Sequence, residues 1–282
     1  MRIDVFSSGS EGNSTLIKTN NVNVLVDAGL TKKLIVENLE LSGLTLDDVS
    51  AILVTHEHTD HTKGLLTILS KNKIKTYMTN GTYQGLKKML QRSESYKSQL
   101  KTLNERYIDN TIEIIKKDSD NFLYEPFFVS DLYIQPLPMF HDALETVGFI
   151  FTADLKRLVY ITDTGYVHQS LFDLISNAEG YLLESNHDPE ILLASERPYN
   201  LKMRILSDHG HLSNENSMLT LVNVIGDNTK LVLHAHVSQE CNLSQIIELE
   251  RDKIFKEYNM DISNIEFDIL HPRRSKEYNI WK

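Results

Sequence analysis

Short apolar runs alternate with amphipathic stretches along this chain. Runs such as 51–54, 132–137 and 181–184 are four to six residues long and flanked by polar positions, which is typical of buried strands. The stretches 32–41 and 244–258 carry apolar residues near helical spacing. This mixture, repeated in two similar halves, predicts an α+β fold of two sheets packed face to face with helices outside.

The pattern predicts eleven strands, at 3–6, 15–18, 22–26, 51–54, 111–117, 132–137, 147–151, 157–162, 181–184, 230–233 and 265–270. It predicts helices at 32–41, 61–70, 168–176, 215–224 and 244–258, and one or two polar helices within 80–103. Because no low-complexity segment, repeat or linker interrupts the sequence, we expect a single domain over residues 1–282.

Composition narrows the class of protein. Apolar residues make up 41% and charged residues 24%, as in an ordinary soluble globular protein. The longest apolar runs are too short to span a bilayer, and the N-terminus lacks the apolar core of a signal peptide. The single cysteine, Cys241, excludes an internal disulfide and is more typical of a buried apolar residue than of a nucleophile. We therefore expect a cytoplasmic protein without a membrane partner.

Charge is distributed unevenly. The net charge of −10 argues against a protein that coats nucleic acid through bulk positive charge. Between Lys71 and Arg106, however, nine basic residues face only two acidic ones. This basic segment is either a face that binds phosphates or an ordinary solvated helical surface, and the sequence leaves both readings open.

Side chains that can bind a metal are most concentrated in the run Thr-His-Glu-His-Thr-Asp-His at 55–61, directly after a predicted strand. Imidazoles and carboxylates are the ligands that zinc and similar cations take. His56 and His58 are two apart and can converge on one cation, whereas Asp60 and His61 then point elsewhere and can serve a second. The motif predicts metal-assisted hydrolysis.

Further ligands are offered at later strand ends, where a sheet would fix their positions. His141 and Asp163 each follow a predicted strand, and the alternatives are a surface histidine and a turn aspartate. His234 and His236 lie two apart on one strand face, so the pattern cannot choose between them. The polar run 8–14 is either a hairpin turn or a loop near the site that contributes Asn13 and Ser14.

The order of these elements resembles the metallo-β-lactamase superfamily over nearly the whole chain. The resemblance implies a four-layer αββα sandwich and two divalent ions, of zinc, manganese or iron. It implies seven ligands: His56, His58 and His141 for one ion, Asp60, His61 and His236 for the other, and Asp163 bridging both. It also implies that Asp27 holds the histidine loop from behind.

A narrower resemblance is to the YycJ/WalJ branch of that superfamily. It is carried by Ser-Gly-Ser-Glu-Gly-Asn-Ser at 8–14, Glu-Ser-Asn-His-Asp at 184–188, Gly-His-Leu-Ser-Asn at 210–214 and His-Val-Ser-Gln-Glu-Cys-Asn at 236–242. The chain departs from the branch at Cys241, where asparagine is usual, and in a longer segment at 92–135. The branch implies a 5′→3′ exonuclease or phosphodiesterase acting on DNA.

The expected mechanism is attack on phosphorus by a hydroxide that bridges two metals. Asp60 would steer its proton, and Asn186 would lie beside the metal ligands. His187 or His211 would contact the scissile phosphate or protonate the leaving oxygen, unless they are structural histidines. One alternative is hydrolysis of a thioester or lactone, as in glyoxalase II, and another is a non-catalytic binding module. Oligomeric state and exonuclease or endonuclease mode stay undecided.

Overall fold

The computed structural model describes residues 1–272 and 275–280. These residues form fourteen strands: β1 (Arg2–Ser7), β2 (Ser14–Lys18), β3 (Asn23–Val26), β4 (Ala51–Leu53), β5 (Lys75–Met78), β6 (Ile112–Ile114), β7 (Phe127–Val129), β8 (Leu132–Pro138), β9 (Val147–Ala153), β10 (Lys156–Ile161), β11 (Gly180–Glu184), β12 (Leu231–Ala235), β13 (Glu266–Ile269) and β14 (Lys276–Asn279). The strands form two mixed sheets of seven strands each.

The described part of the chain also forms ten α-helices: α1 (Lys32–Leu41), α2 (Thr59–Thr62), α3 (Leu65–Leu69), α4 (Asn80–Leu90), α5 (Lys97–Ile108), α6 (Phe172–Ile175), α7 (Pro189–Ala194), α8 (Tyr199–Ile205), α9 (Asn214–Val224) and α10 (Ser244–Glu257). Short 3-10 turns lie at Leu46–Asp48, Glu94–Tyr96 and Gln169–Leu171.

The chain divides into two compact units that interleave along the sequence. Unit 1 comprises Met1–Pro138, Ala143–Val147 and Pro272–Lys282, and unit 2 comprises Met139–Asp142 and Gly148–His271. The expectation of a single domain over 1–282 stays a prediction, and residues 273, 274, 281 and 282 lie outside the described part of the chain.

The first sheet belongs to unit 1 and has the strand order β14-β1-β2-β3-β4-β5-β6. Strands β3 to β6 run parallel, with Val26 opposite Leu53. Buried on both faces, β3 and β4 consist almost wholly of apolar residues, as parallel strands do. Helix α1 begins at the cap Thr31, whose side chain accepts a hydrogen bond from the backbone of Leu34.

In unit 2, strands follow the order β13-β12-β11-β10-β9. Strands β7 and β8 form an antiparallel hairpin. Strands β10 to β13 run parallel, and β9 pairs antiparallel with β10. Strands β11 and β12 are buried along their whole length. Parallel strands place their carboxyl ends at one edge, and the candidate ligands follow those ends.

Most predicted elements are present, and the differences have local causes. The helix predicted at 61–70 is two short helices, α2 and α3, separated at Gly64, where a Cβ would lie 2.4 Å from the carbonyl oxygen of Leu30. Strands β5, β7 and β14 and helices α7 and α8 were not predicted. They are three to seven residues long, too short for a clear hydrophobic period.

None of the helices formed by the described residues is both long and apolar enough to cross a bilayer. Cys241 is fully buried and packs with Leu192 and Ile205, as a small apolar residue does.

Candidate metal centre

In unit 1 the candidate ligands follow two parallel strands. Asp27 is the first residue after β3, and the run 55–61, called here the His loop, begins two residues after β4. Because β3 and β4 run parallel in register, Asp27 and the His loop lie at the same edge of the sheet. The backbone joins them too, since Ala28 donates from its nitrogen to the carbonyl oxygen of His61.

Asp27 is fully buried and accepts three hydrogen bonds from the His loop. Its Oδ1 accepts from the backbone nitrogen of Thr55 at 2.8 Å, and its Oδ2 accepts from the Thr55 hydroxyl at 2.9 Å. The same Oδ2 lies 2.8 Å from His61 Nδ1. Burial raises the pKa of Asp27, although His61 and the two Thr55 donors favour its charged form. A carboxylate on Nδ1 fixes the imidazole tautomer that leaves Nε2 as a ligand atom.

The imidazoles of the His loop converge. The ring centroid of His56 lies 4.5 Å from that of His58 and 4.1 Å from that of His61. The Asn13 amide nitrogen lies 2.9 Å from His61 Nε2 and 3.4 Å from Asp60 Oδ2, so Asn13 borders the predicted ligands.

Ser14 acts through the backbone. Its hydroxyl donates to the carbonyl oxygen of Asp27 at 3.0 Å. The polar run 8–14 therefore lies beside the His loop and is not only a hairpin turn.

In unit 2 the ends of three parallel strands carry the candidate groups. Asp163 follows β10 by two residues, Glu184 is the last residue of β11, and His236 follows β12 directly. Asp163 and His236 have φ of 56° and 52°, and Asp27 in unit 1 has φ of 61°. A left-handed backbone costs a residue other than glycine about 1–3 kcal/mol and is concentrated at functional positions. The backbone turns sharply at each of these three residues, which are the candidate ligands or the residue behind them.

Glu184 organises two histidines of unit 2. Its Oε1 accepts from His211 Nδ1 at 2.7 Å and from His236 Nδ1 at 3.0 Å, and its Oε2 accepts from the backbone of Thr164 at 2.9 Å. Burial opposes its ionisation, but His211 and His236 outweigh burial and lower the pKa of Glu184. The sequence pattern did not predict a role for Glu184. The available signal was an acidic residue ending an otherwise apolar strand.

Asp163 lies close to the other candidate ligands of unit 2. Its Oδ1 is 3.5 Å from His236 Nε2 and 3.9 Å from His141 Nε2. His141 Nδ1 donates to the carbonyl oxygen of Gly210 at 2.9 Å, which directs Nε2 towards the carboxylate. Burial lowers the pKa of His141, which keeps its imidazole neutral and able to bind a cation.

The donor atoms fit a divalent cation. In unit 2, one ligand atom from each of Asp163, Glu184, His211 and His236 lies within 4.8 Å of the others. These residues, with His141, are called here the Asp163 cluster. Two carboxylates buried this deeply need compensating positive charge, and imidazole nitrogens with carboxylate oxygens suit zinc, manganese or iron. The converging imidazoles of the His loop are also ligands that suit such a cation.

His234 and His236 point to different environments, which the sequence could not separate. Strand β12 ends at Ala235 and the chain turns at His236, so the strand alternation stops between them. His234 Nδ1 lies 2.9 Å from the Ser185 hydroxyl, and its ring stacks on Phe267. Burial lowers the pKa of His234 to about 3. His236 instead belongs to the Asp163 cluster.

Asn186 and His187 follow β11 directly. The Asn186 amide donates to the carbonyl oxygen of His236 at 2.8 Å, so it holds the turn that presents this imidazole. His187 is buried, and neither of its ring nitrogens has a hydrogen-bond partner among the described residues. Burial lowers the pKa of His187 to about 4, so the ring is neutral at pH 7. The predicted catalytic role of His187 has no acid or base contact to support it and stays a prediction.

The structure thus groups the predicted residues within each unit. Asn13, Ser14, Asp27, His56, His58, Asp60 and His61 gather in unit 1, and His141, Asp163, Asn186, His211 and His236 gather in unit 2. The assignment of the seven predicted ligands to two cations stays a prediction.

Comparison with known proteins identifies the family. The family model described as the beta-lactamase superfamily domain matches residues 22–235 of the chain. The chain belongs to the β-lactamase superfamily. The prediction that this chain is a metal-dependent hydrolase is confirmed.

Two relatives within this superfamily cover most of the chain. Exodeoxyribonuclease WalJ of Streptococcus pneumoniae is 34% identical over 248 residues, which is 88% of this chain and 86% of the relative. Exodeoxyribonuclease YycJ of Bacillus anthracis is 32% identical over 257 residues, 91% of this chain and 90% of the relative. The predicted resemblance to the YycJ/WalJ branch is confirmed.

Solved structures of the superfamily show the same fold. The metallo-β-lactamase fold protein YhfI from Bacillus subtilis aligns with a TM-score of 0.62 at 13% identity, covering 98% of this chain and 99% of YhfI. The predicted α+β fold class is confirmed.

Proposed function

We propose that this superfamily member is a dinuclear, metal-dependent phosphodiesterase that acts on DNA as a 5′→3′ exonuclease. The proposed DNA substrate rests on the similarity to WalJ and YycJ, both named exodeoxyribonucleases, over about nine-tenths of the chain. The buried imidazole and carboxylate clusters at the strand ends support the metal-dependent chemistry.

In this proposal seven residues would hold two divalent cations: His56, His58 and His141 would bind one, Asp60, His61 and His236 would bind the other, and Asp163 would contribute to both. When bound, such cations acidify a water molecule and neutralise the charge that develops on a phosphoryl group.

The remaining residues orient these ligands and move protons. Asp27 fixes the tautomer of His61, and Glu184 does the same for His236 through Nδ1. Asp60 would steer the proton of the attacking water. His211 Nδ1 donates a hydrogen bond to Glu184, and 15% of the His211 side chain is exposed. In this proposal His211 would contact the leaving oxygen.

A metal-reconstituted digest of 5′-labelled single- and double-stranded DNA tests the proposal. We expect mononucleotide release from the 5′ end with zinc, manganese or iron, and its loss on addition of a chelator. Bis-p-nitrophenyl phosphate and lactoylglutathione complete the panel. Turnover of the thioester without DNA cleavage would contradict the proposal and favour a carbonyl substrate.

Substitution of a proposed metal ligand provides a second test of the proposal. His58→Ala should lower the rate of DNA cleavage by on the order of a hundredfold or more, because a metal ligand matters at least as much as the groups behind it. His168→Ala is the matched control, since this exposed histidine lies in neither cluster. Near-native cleavage by His58→Ala would contradict the assignment.

A further inference from the structure

A cavity of about 520 Å3 opens beside the His loop in unit 1. It lies between that loop and the C-terminal half of α4. Its lining includes Glu57, His58, Asp60, Gly85, Lys88 and Arg92. Two of the predicted metal ligands, His58 and Asp60, therefore share a wall with two cationic side chains.

Lys88 and Arg92 differ from most of the basic segment in their partners. Lys73, Lys75, Lys97, Lys101 and Arg106 each form a salt bridge with an acidic neighbour. Within residues 1–272 and 275–280, neither Lys88 nor Arg92 forms one. Both are exposed: Lys88 lies in the last turn of α4, Arg92 lies two residues beyond the end of that helix, and both line the cavity.

The wall between α4 and the His loop is tightly fitted. A Cβ on Gly85 would lie 2.5 Å from the Cδ of Glu57, so glycine at this position leaves room for the Glu57 side chain against the helix. Glu57 Oε1 also accepts from the backbone nitrogen of Leu144 at 2.9 Å. The Glu57 side chain therefore packs the His loop directly against the helix that carries Lys88.

The charges of the side chains that line the cavity permit an anion to bind. Among the lining side chains, the two acidic residues Glu57 and Asp60 balance the charges of Lys88 and Arg92. Once Asp60 binds a cation, as proposed above, its charge is compensated and the lining has a positive excess. Paired lysine and arginine side chains that lack acidic partners bind phosphate oxygens through charge-assisted hydrogen bonds.

We propose that this cavity binds a backbone phosphate of the nucleic-acid substrate next to the scissile one, with Lys88 and Arg92 as its ligands. The inference rests on the proposed nuclease function and adds a substrate-positioning subsite to it. The basic segment then has a defined role at two residues, whereas its ion-paired lysines belong to the solvated surface.

Steady-state kinetics on a 5′-labelled oligonucleotide test the subsite. Lys88→Ala and Arg92→Ala should each raise KM about five- to tenfold with little change in kcat, because they remove phosphate binding that is equal in ground and transition states. Each should also reduce the slope of log KM against log salt concentration by about one. Arg92→Lys keeps the charge and should recover most of the loss.

A small diester separates positioning from chemistry. Bis-p-nitrophenyl phosphate has no neighbouring phosphate, so its kcat/KM should fall far less than that of the oligonucleotide in the Lys88→Ala, Arg92→Ala double variant. Lys101→Ala is the matched control, since Lys101 belongs to the same basic segment but pairs with Glu105.

Two results would overturn the subsite. One is a double variant with wild-type KM and salt slope on DNA, and the other is an equal loss on both substrates. Failure of the wild-type protein to cleave DNA would instead refute the proposed function. This result is distinguishable from failure of the subsite, because it does not depend on the variants.

Discussion

Asn in place of Asp27 is the most informative single change at the His loop. The substitution keeps the shape of the side chain, and asparagine tolerates the left-handed backbone that Asp27 adopts, with φ of 61°. What changes is one oxygen, which becomes an NH2 group. The three donors that Asp27 serves, two on Thr55 and one on His61, then meet a single acceptor oxygen.

Either orientation of the new amide is costly. If the NH2 group faces His61 Nδ1, that nitrogen must accept, the proton moves to Nε2, and His61 can no longer ligate through Nε2. If the NH2 group faces the backbone nitrogen of Thr55, two donors meet in a buried place. This mismatch costs about 1–3 kcal/mol of folding free energy.

We therefore expect Asp27→Asn to weaken divalent-cation binding by about 10- to 100-fold, the usual effect of losing a group behind a metal-ligating histidine. That factor corresponds to roughly 1.4–2.7 kcal/mol of binding free energy. The affinity is measured by competition with a chromogenic chelator, and the folding cost by thermal unfolding of the metal-free protein.

Asp131→Asn is the matched control, because Asp131 is exposed and hydrogen-bonds only the exposed Asn21 among the partners described for it. Wild-type metal affinity in Asp27→Asn would refute the reasoning. It would mean that the carboxylate does not set the tautomer of His61.

Three further changes test other parts of the two units. Glu184→Gln should lower cation affinity by about tenfold or more in the same chelator competition, since the charged acceptor of two imidazoles is lost; unchanged affinity would argue against its orienting role. Gly29→Ala should prevent correct folding of the His loop, because its Cβ would lie 1.6 Å from the carbonyl oxygen of Asp60; a native-like circular dichroism spectrum and melting temperature would contradict this. Glu145 is half-buried, which opposes its ionisation, but Lys117 and the backbone of Gly81 outweigh burial and lower its pKa. Because the folded pKa is depressed, its stabilisation is present above the unfolded value of 4.5 and is lost as the pH falls through the folded value. Glu145→Gln should thus destabilise by under about 1 kcal/mol at pH 7, a difference that shrinks below pH 4 in urea titrations; a pH-independent difference would refute the charge argument.

Local chemistry made the His loop predictable from the sequence. A buried apolar strand followed by His-x-His-x-Asp-His states both the position and the ligand type, because a strand end is the place where a sheet can present side chains rigidly. The same reasoning located Asp163 after β10 and Asp27 after β3. The alternation of strands and helices likewise determined the fold class, since each element must bury its apolar face.

Contacts between residues far apart in the chain were decided only by the tertiary structure. Glu184 reaches His211 and His236, 27 and 52 residues onward, and no local pattern signals such pairs. The choice between His234 and His236 depends on where β12 ends and the backbone turns. Likewise, only the tertiary structure shows that Lys88 and Arg92 line a cavity beside the His loop, whereas Lys101 pairs with Glu105. Sequence specifies which groups are available at strand ends and on helix faces. Packing decides which of them meet, because hydrogen bonds and ion pairs depend on distances of a few ångströms that sequence separation does not set.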